Sequence, residues 1–345
     1  MQLRYFNQPH FENGSLKLIS QVLKEHGISK PLICTDPGLV AIGMTDKIRN
    51  LLSNELSPTF YTETPANPTE QAVNDALHMY KQNDCDGVVG FGGGSSMDLA
   101  KAVALMANHE GNVVDYSVNE GGTGKITETV PTIAIPTTSG TGSEVSLGAV
   151  IIMNDGRKLI LSSDYLVPNA AICDPELTVG MPLSITSGTG MDAFAHCLEA
   201  YCSPHYHPMS QGMALEGMRL VKENLPIVYK DRNNIRGRSH MMSAAIMGAT
   251  AFQKGLGAIH AASHPIGAVH NTHHGTTNAV VMRGALLMNR SAIEPKIESL
   301  CNYLEISGGF DGFLSFVYNL NKVLNIPTSL TEMGVKDPNI KALVQ

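Results

Sequence analysis

The sequence predicts an α/β N-terminal half built on a parallel sheet and a C-terminal half that is all helix. Three observations carry this. Apolar strand patterns and helical patterns alternate through residues 1–181, and such alternation implies parallel strands joined by crossover helices. Two of the strands run into loops of glycine and small hydroxyl residues, at 92–96 and 137–143. From Pro182 to the end, residues 182–345, the apolar spacing is helical throughout.

Taking the elements in order, residues 15–26 have helical spacing, and Lys30 to Thr35 is a short apolar strand that ends at Asp36-Pro37-Gly38. An acid at the carboxyl end of a strand is where Rossmann-like sheets bind a ribose hydroxyl pair. Pro65 to Pro68 opens a helix through Thr69 and Glu70. Next, DGVVGFGGGSSMDLAKAVALMAN reads as an apolar strand, a run from Gly92 to Ser96, and a helix with Asp98 in its first turns. Glycines there let the backbone approach a phosphate, whose charge the free N–H groups of the helix N-terminus stabilise. The run is neither GxGxxG, since Ser95 stands at the third glycine position, nor a Walker A loop, since no Gly-Lys-Ser/Thr follows. A strand from Pro131 to Ile135 then leads into Thr137, Thr138, Ser139, Gly140, Thr141, Gly142 and Ser143, small residues suited to pyrophosphate and ribose. Lys158 and the segment Asp174 to Met181 close this half. Helices follow over 189–201, 208–224, 238–253, the histidine-rich stretch, 278–289, 293–303 and 310–324.

Composition narrows the function. A net charge of -7 argues against nucleic acid or an anionic membrane as the main partner. No apolar run approaches the ~20 residues of a membrane span, and the N-terminus lacks the pattern of a secretion signal, so a cytoplasmic protein is expected. The six cysteines, without CxxC pairing, read as reduced thiols.

The chemistry concentrates in Gly255 to Gly275, which holds His260, His264, His270, His273 and His274. His260 and His264 are spaced i, i+4, so both rings leave one helix face. In TGMDAFAHCLEAY, Asp192 and His196 repeat the spacing. One carboxylate with three imidazoles completes a ligand set for a divalent transition metal. Spacing does not say which four residues converge. Glu199 extends the Asp192 face to i+7 and is a rival ligand, its ordinary alternative being a solvated carboxylate on the helix surface.

Four motifs, GGGSSMDLAK at 92–101, PTTSGTGSEVS at 136–146, TGMDAFAHCLEAY at 189–201 and GLGAIHAASHPIGAVHNTHHG at 255–275, resemble in this order the iron-containing, or group III, alcohol dehydrogenase family, with its dehydroquinate synthase-like fold. The resemblance implies that Asp192, His196, His260 and His274 bind Fe2+ or Zn2+ and that His264 lies beside nicotinamide and substrate as the catalytic residue. It also implies a cofactor site of Asp36, Asn67, Gly94, Ser95, Thr137, Thr138, Thr141 and Lys158, with Leu177 and Met181, to which the glycine run and the helix it opens add Gly93 and Asp98. An acid at position 36 is similar to members that prefer NAD over NADP. Three departures stand out: Ser96 replaces a frequent proline, His273 replaces another and is a competing ligand, and the chain ends at Gln345 where relatives continue through further helix, so that the helical domain is expected to be incomplete. The expected reaction is hydride transfer between NAD and a small primary alcohol or diol and its aldehyde. A hydroxy acid such as 4-hydroxybutyrate, a polyol, a synthase-type lyase reaction and non-catalytic binding are alternatives. The absence of Arg or Lys from the histidine stretch favours neutral alcohols. A homodimer is implied by the resemblance alone.

Overall fold

A computed structural model describes residues 7–336, so the chain's end at Gln345 lies outside the described residues. The chain divides into two compact units: Met1–Thr137 with Ser143–Leu177, and Thr138–Gly142 with Thr178–Gln345.

In the first unit, the described residues include six strands that form one sheet: β1 (Gln8–Phe11), β2 (Pro31–Cys34), β3 (Thr59–Tyr61), β4 (Gly87–Gly92), β5 (Thr132–Pro136) and β8 (Ala170–Cys173). Their order is β1-β8-β5-β4-β2-β3, and every pairing is parallel. Helices α1 (Ile19–Glu25), α2 (Pro37–Ala41), α3 (Met44–Arg49), α4 (Glu70–Gln82) and α5 (Gly94–Asn108) complete the unit. The strands β2, β4, β5 and β8 are buried along their whole length because both faces of the sheet are covered there. Leu32 and Val88 point into one cluster with Ala76, Leu99 and Val103, while Ile33, Val89 and Ile133 point into the other with Ile19, Val22 and Leu23. The chain leaves β2 for the edge strand β3 and returns on the other side as β4. This is the topological switch point, outside whose carboxyl ends such sheets bind ligands.

Between β5 and β8, β6 (Gly148–Ile152) and β7 (Lys158–Ser162) form an antiparallel hairpin that the sequence reading did not anticipate. The signal was Asp155-Gly156 between two alternating runs, and Gly156 has φ +86°.

Lys101 and Glu144 are 1% exposed. Lys101 Nζ donates to Ser146 O at 2.8 Å, Ser146 Oγ at 3.2 Å and Gly148 O at 2.8 Å. Burial pushes the Glu144 carboxyl up to about 7, so the folded chain retains a proton that the unfolded chain releases near 4.5. Stability from this group is therefore present below pH 4.5 and is lost as pH rises to about 7. Glu144→Gln should raise the melting midpoint at pH 8 by the equivalent of about 1–3 kcal/mol, less than the full shift because some attraction to Lys101 goes too. The difference should close as pH falls toward 4.5. A gap that does not change with pH would refute this assignment.

Seven helices of the second unit lie among the described residues: α6 (Leu183–Cys202), α7 (Pro208–Lys230), α8 (Ile235–Ala251), α9 (Ala258–His270), α10 (His274–Met288), α11 (Arg290–Tyr303) and α12 (Gly309–Val323). The core helix is α6, every residue of which is buried from Thr186 to Tyr201. It begins six residues before the 189–201 span that its spacing predicts, and its first half contains two glycines, Gly188 and Gly190, that would ordinarily weaken a helix. Both glycines are places of close approach: a Cβ at Gly188 would sit 2.5 Å from the His273 ring, and one at Gly190 would sit 2.4 Å from Leu225. Two ammonium groups close the other end of α6. Lys254 donates to Tyr201 O at 3.0 Å, and Lys296 to Cys202 O at 3.0 Å and Ser203 O at 2.6 Å. Cations suit the orphan carbonyls of a helix C-terminus. No helix among the described residues is long and apolar enough to cross a membrane.

Candidate active site

Helix α6 carries Asp192, His196 and Glu199 on one stripe, α9 contributes His260, and α10 begins at His274 and carries Asn278 one turn on. Asp192, His196 and His260 are 2%, 5% and 4% exposed. The three imidazoles turn Nε2 toward a single oxygen: Asp192 Oδ1 lies 3.8 Å from His196 Nε2, 3.7 Å from His260 Nε2 and 3.5 Å from His274 Nε2. Donor atoms of Asp192, His260 and His274 all lie within 4.8 Å of one another.

These separations test whether a metal fits. They are too long for N–H···O hydrogen bonds, which run to about 3.2 Å. They suit donors around one ion, since tetrahedral bonds of about 2.1 Å place neighbouring ligands roughly 3.4 Å apart. Asp192, His260 and His274 form the close group, which does not include His196, though its Nε2 is 3.8 Å from the same oxygen; one carboxylate with two or three imidazoles matches Fe2+, Zn2+ or Co2+. Although burial would raise it, the Asp192 carboxyl is held well below the usual range by His196, His274 and His260. Burial pushes His196 down to about 4, so its ring is neutral with a lone pair available at neutral pH. Burial opposes charge on His260 as well, but the carboxylates of Asp192 and Glu199 raise it to about 9.

Glu199 is 7% exposed, neither a surface carboxylate nor placed among the donors. Its Oε2 lies 2.6 Å from His260 Nδ1, on the far side of that ring, and its Oε1 accepts from Ile259 N at 2.6 Å. Burial would raise this carboxyl, but the His260 hydrogen bond and charge and the backbone of Gly257 and Ile259 hold it below its ordinary value. Asn278, fully buried, was not singled out from the sequence. Its Nδ2 donates to Asp192 Oδ1 at 2.8 Å and lies 3.2 Å from Nε2 of both His260 and His274. The available signal was its position four residues after His274, on the same helix face.

His264 stands beside this group, half-buried, its ring centroid 5.1 Å from that of His274 and 5.9 Å from that of His260. His273 lies at the cap of α10, outside the group of Asp192, His260 and His274. Its Nδ1 accepts from Thr276 N at 3.3 Å and contacts Thr276 Oγ1 at 3.0 Å, capping α10.

In the first unit, expected cofactor residues gather at the carboxyl ends of the central strands. Asp36 follows β2 and caps α2 through Leu39 N at 3.1 Å. Gly93 caps α5, and Gly94 and Ser95 begin it. A Cβ at Gly92 would lie 3.4 Å from Asp36 Oδ2, which places the acid beside the glycine loop. Ser95 Oγ donates to Ala66 O, and Lys158 Nζ to Asn67 Oδ1 at 3.0 Å. Thr137 follows β5, its N–H bonded to Gly92 O at 2.9 Å. Asp98 has an internal task, with Oδ1 accepting from Ser143 Oγ at 2.6 Å and Oδ2 from Val150 N at 3.0 Å. Leu177 is buried in this unit. Thr138, Thr141 and the buried Met181 belong to the second unit.

A parallel-sheet unit with a glycine-rich loop at its switch point, and a helical unit with one carboxylate and three imidazoles about one point, define a distinct class of protein. Residues 7–175 match the iron-containing alcohol dehydrogenase family and residues 186–345 match its C-terminal region. The chain belongs to the iron-containing alcohol dehydrogenase family. It is 41% identical over 343 residues to a 4-hydroxybutyrate dehydrogenase of Cupriavidus necator, covering 96% of this chain and 89% of that one. It is 34% identical over 345 residues to an NAD-dependent methanol dehydrogenase of Bacillus methanolicus, covering 96% and 89%. Among solved structures, sulfoacetaldehyde reductase of Bifidobacterium kashiwanohense in complex with NAD+ superimposes with a TM-score of 0.89 at 28% identity, over 100% of this chain and 92% of that one.

Proposed function

We propose that this chain is a metal- and NAD-dependent dehydrogenase that interconverts a small primary alcohol or diol and its aldehyde. The observation that carries the reading is the convergence of His196, His260 and His274 on Asp192 Oδ1 at 3.5–3.8 Å. Fe2+ or Zn2+ held there by Asp192, His196, His260 and His274 would supply Lewis acidity; lowering a hydroxyl pKa from ~16 toward ~7 is worth about 12 kcal/mol. A histidine base alone supplies roughly 3–5 kcal/mol. NAD supplies the hydride acceptor. The chain's own groups do the rest. Asp36 and the N-terminus of α5 at Gly93 to Ser95 recognise ribose and phosphate. His264, half-buried beside His274, takes the proton released by the alcohol and passes it to solvent.

Identity of 41% to a 4-hydroxybutyrate dehydrogenase favours a second reading in which the alcohol carries a distant carboxylate. Anaerobic NAD reduction with simple alcohols, 1,3-propanediol and 4-hydroxybutyrate, on metal-stripped protein and after adding Fe2+ or Zn2+, tests both. NADH formation that needs added metal is expected, and the highest kcat/KM identifies the substrate class. Full activity in metal-stripped protein would refute the mechanism.

Coenzyme choice is tested at Asp36. Serine keeps the cap on Leu39 N but removes the charge that binds a 2′-hydroxyl and repels a 2′-phosphate. Asp36→Ser should lower kcat/KM for NAD about tenfold, the size of one lost charge-assisted hydrogen bond, and raise it for NADP. Unchanged kcat/KM for both coenzymes would remove Asp36 from the site.

A further inference from the structure

We propose that Glu199 is a positioning residue for the metal site, fixing the His260 ring in the tautomer whose Nε2 lone pair faces Asp192 and tying that ring to helix α6. The inference rests on the metal reading above. A neutral imidazole has one N–H and one acceptor nitrogen, and an ionised carboxylate only accepts. With Glu199 Oε2 at 2.6 Å, Nδ1 of His260 keeps its proton, and a metal bound at the site would displace the proton from Nε2, 3.7 Å from Asp192 Oδ1, and use the lone pair there.

The second oxygen makes the hold rigid. Ile259 N belongs to the first turn of α9, whose early N–H groups have no partner within the helix, and the cap residue Gly257 has no side chain to offer. Glu199 Oε1 supplies the acceptor from α6 at 2.6 Å. A Cβ at position 257 would lie 3.1 Å from that oxygen, so glycine leaves room for the carboxylate. One side chain thus clamps consecutive residues of α9, backbone at 259 and ring at 260. The helix bearing Asp192 and His196 thereby sets the position of the ligand borne by α9.

Glu199→Gln separates this role from simple packing. Glutamine keeps an oxygen for Ile259 N but turns an NH2 toward Nδ1, which then accepts, and the ring proton moves to Nε2. Zn2+ affinity, measured by competition with a chromogenic chelator, should fall 10- to 100-fold, the usual effect of losing such an outer partner. Circular dichroism of the metal-stripped variant should match the wild type, and its melting midpoint should fall modestly because the charge-assisted bond to His260 is lost. Glu199→Ala, which loses both bonds, should bind zinc no better than Glu199→Gln and melt earlier. In zinc-loaded wild type, nitrogen-15 NMR of labelled histidines should show His260 protonated on Nδ1, a readout that stands even if the variants fold poorly. Equal zinc affinity in wild type and Glu199→Gln, or a wild-type His260 protonated on Nε2, would overturn the proposal. Wild-type protein that binds no zinc would instead remove the metal reading, and this one with it.

Discussion

Asp192→Asn should abolish stoichiometric zinc binding and lower kcat/KM for alcohol oxidation on the order of 10⁴-fold, about 5–6 kcal/mol of the roughly 12 kcal/mol assigned to the metal. The substitution keeps volume and removes the only negative charge among the four prospective donors. Asp192 Oδ1 is the atom on which three imidazoles converge, and Asn278 donates to it at 2.8 Å. An amide there offers a neutral donor in place of a carboxylate, in a site where Asp192 is only 2% exposed and water cannot make up the charge. Circular dichroism separates loss of metal from loss of fold. Activity within tenfold of wild type would show that the cage is not the catalytic centre.

Gly275→Ala should destabilise the protein by about 3 kcal/mol and also weaken zinc binding. A Cβ at Gly275 would lie 2.1 Å from Gly188 O, 2.7 Å from Gly188 C and 2.9 Å from Asp192 Cβ. The first two are backbone atoms of a buried helix, so no rotamer change relieves the clash, and α6 and α10 must move apart. That movement separates His274 from Asp192. Gly284, on the same helix, supplies the control: nothing lies within 4 Å of its Cβ position, and Gly284→Ala should stabilise by about 0.5–1 kcal/mol through helix propensity. Melting curves and zinc titrations of the two variants check both expectations, and a Gly275→Ala protein that melts like the wild type would refute the packing argument.

Helical periodicity made the Asp192 and His196 pair legible, because both sit on one helix and i, i+4 neighbours share a face. The same rule paired His260 with His264, but His264 lies beside the group while His274, at the start of another helix, completes it. Spacing within one helix cannot report which of two helices supplies the next donor. Glu199 was weighed as a ligand or a surface carboxylate and is neither, because α9 covers it and uses both its oxygens. Asp98 follows the glycine loop in sequence, yet it holds Ser143 and the β6 backbone, a non-local pairing that no window of sequence contains. The sheet was readable in strand and loop chemistry. The order β1-β8-β5-β4-β2-β3 was not, since each strand's partners are set by crossovers.

The five residues Thr138–Gly142 belong with the helical unit although the chain on both sides of them belongs with the sheet. Within that unit, a Cβ on Gly140 would meet Thr189 at 2.7 Å, and one on Gly142, at φ +61°, would meet Ala249 at 2.2 Å. The polypeptide therefore passes between the units three times. A chimera that joins the nucleotide-type half of one relative to the helical half of another at a single splice near residue 180 would import a loop shaped for foreign helices. Exchange of coenzyme specificity between relatives should succeed by point substitution in the first unit, or by transplanting Thr138–Gly142 separately with the helices it packs on.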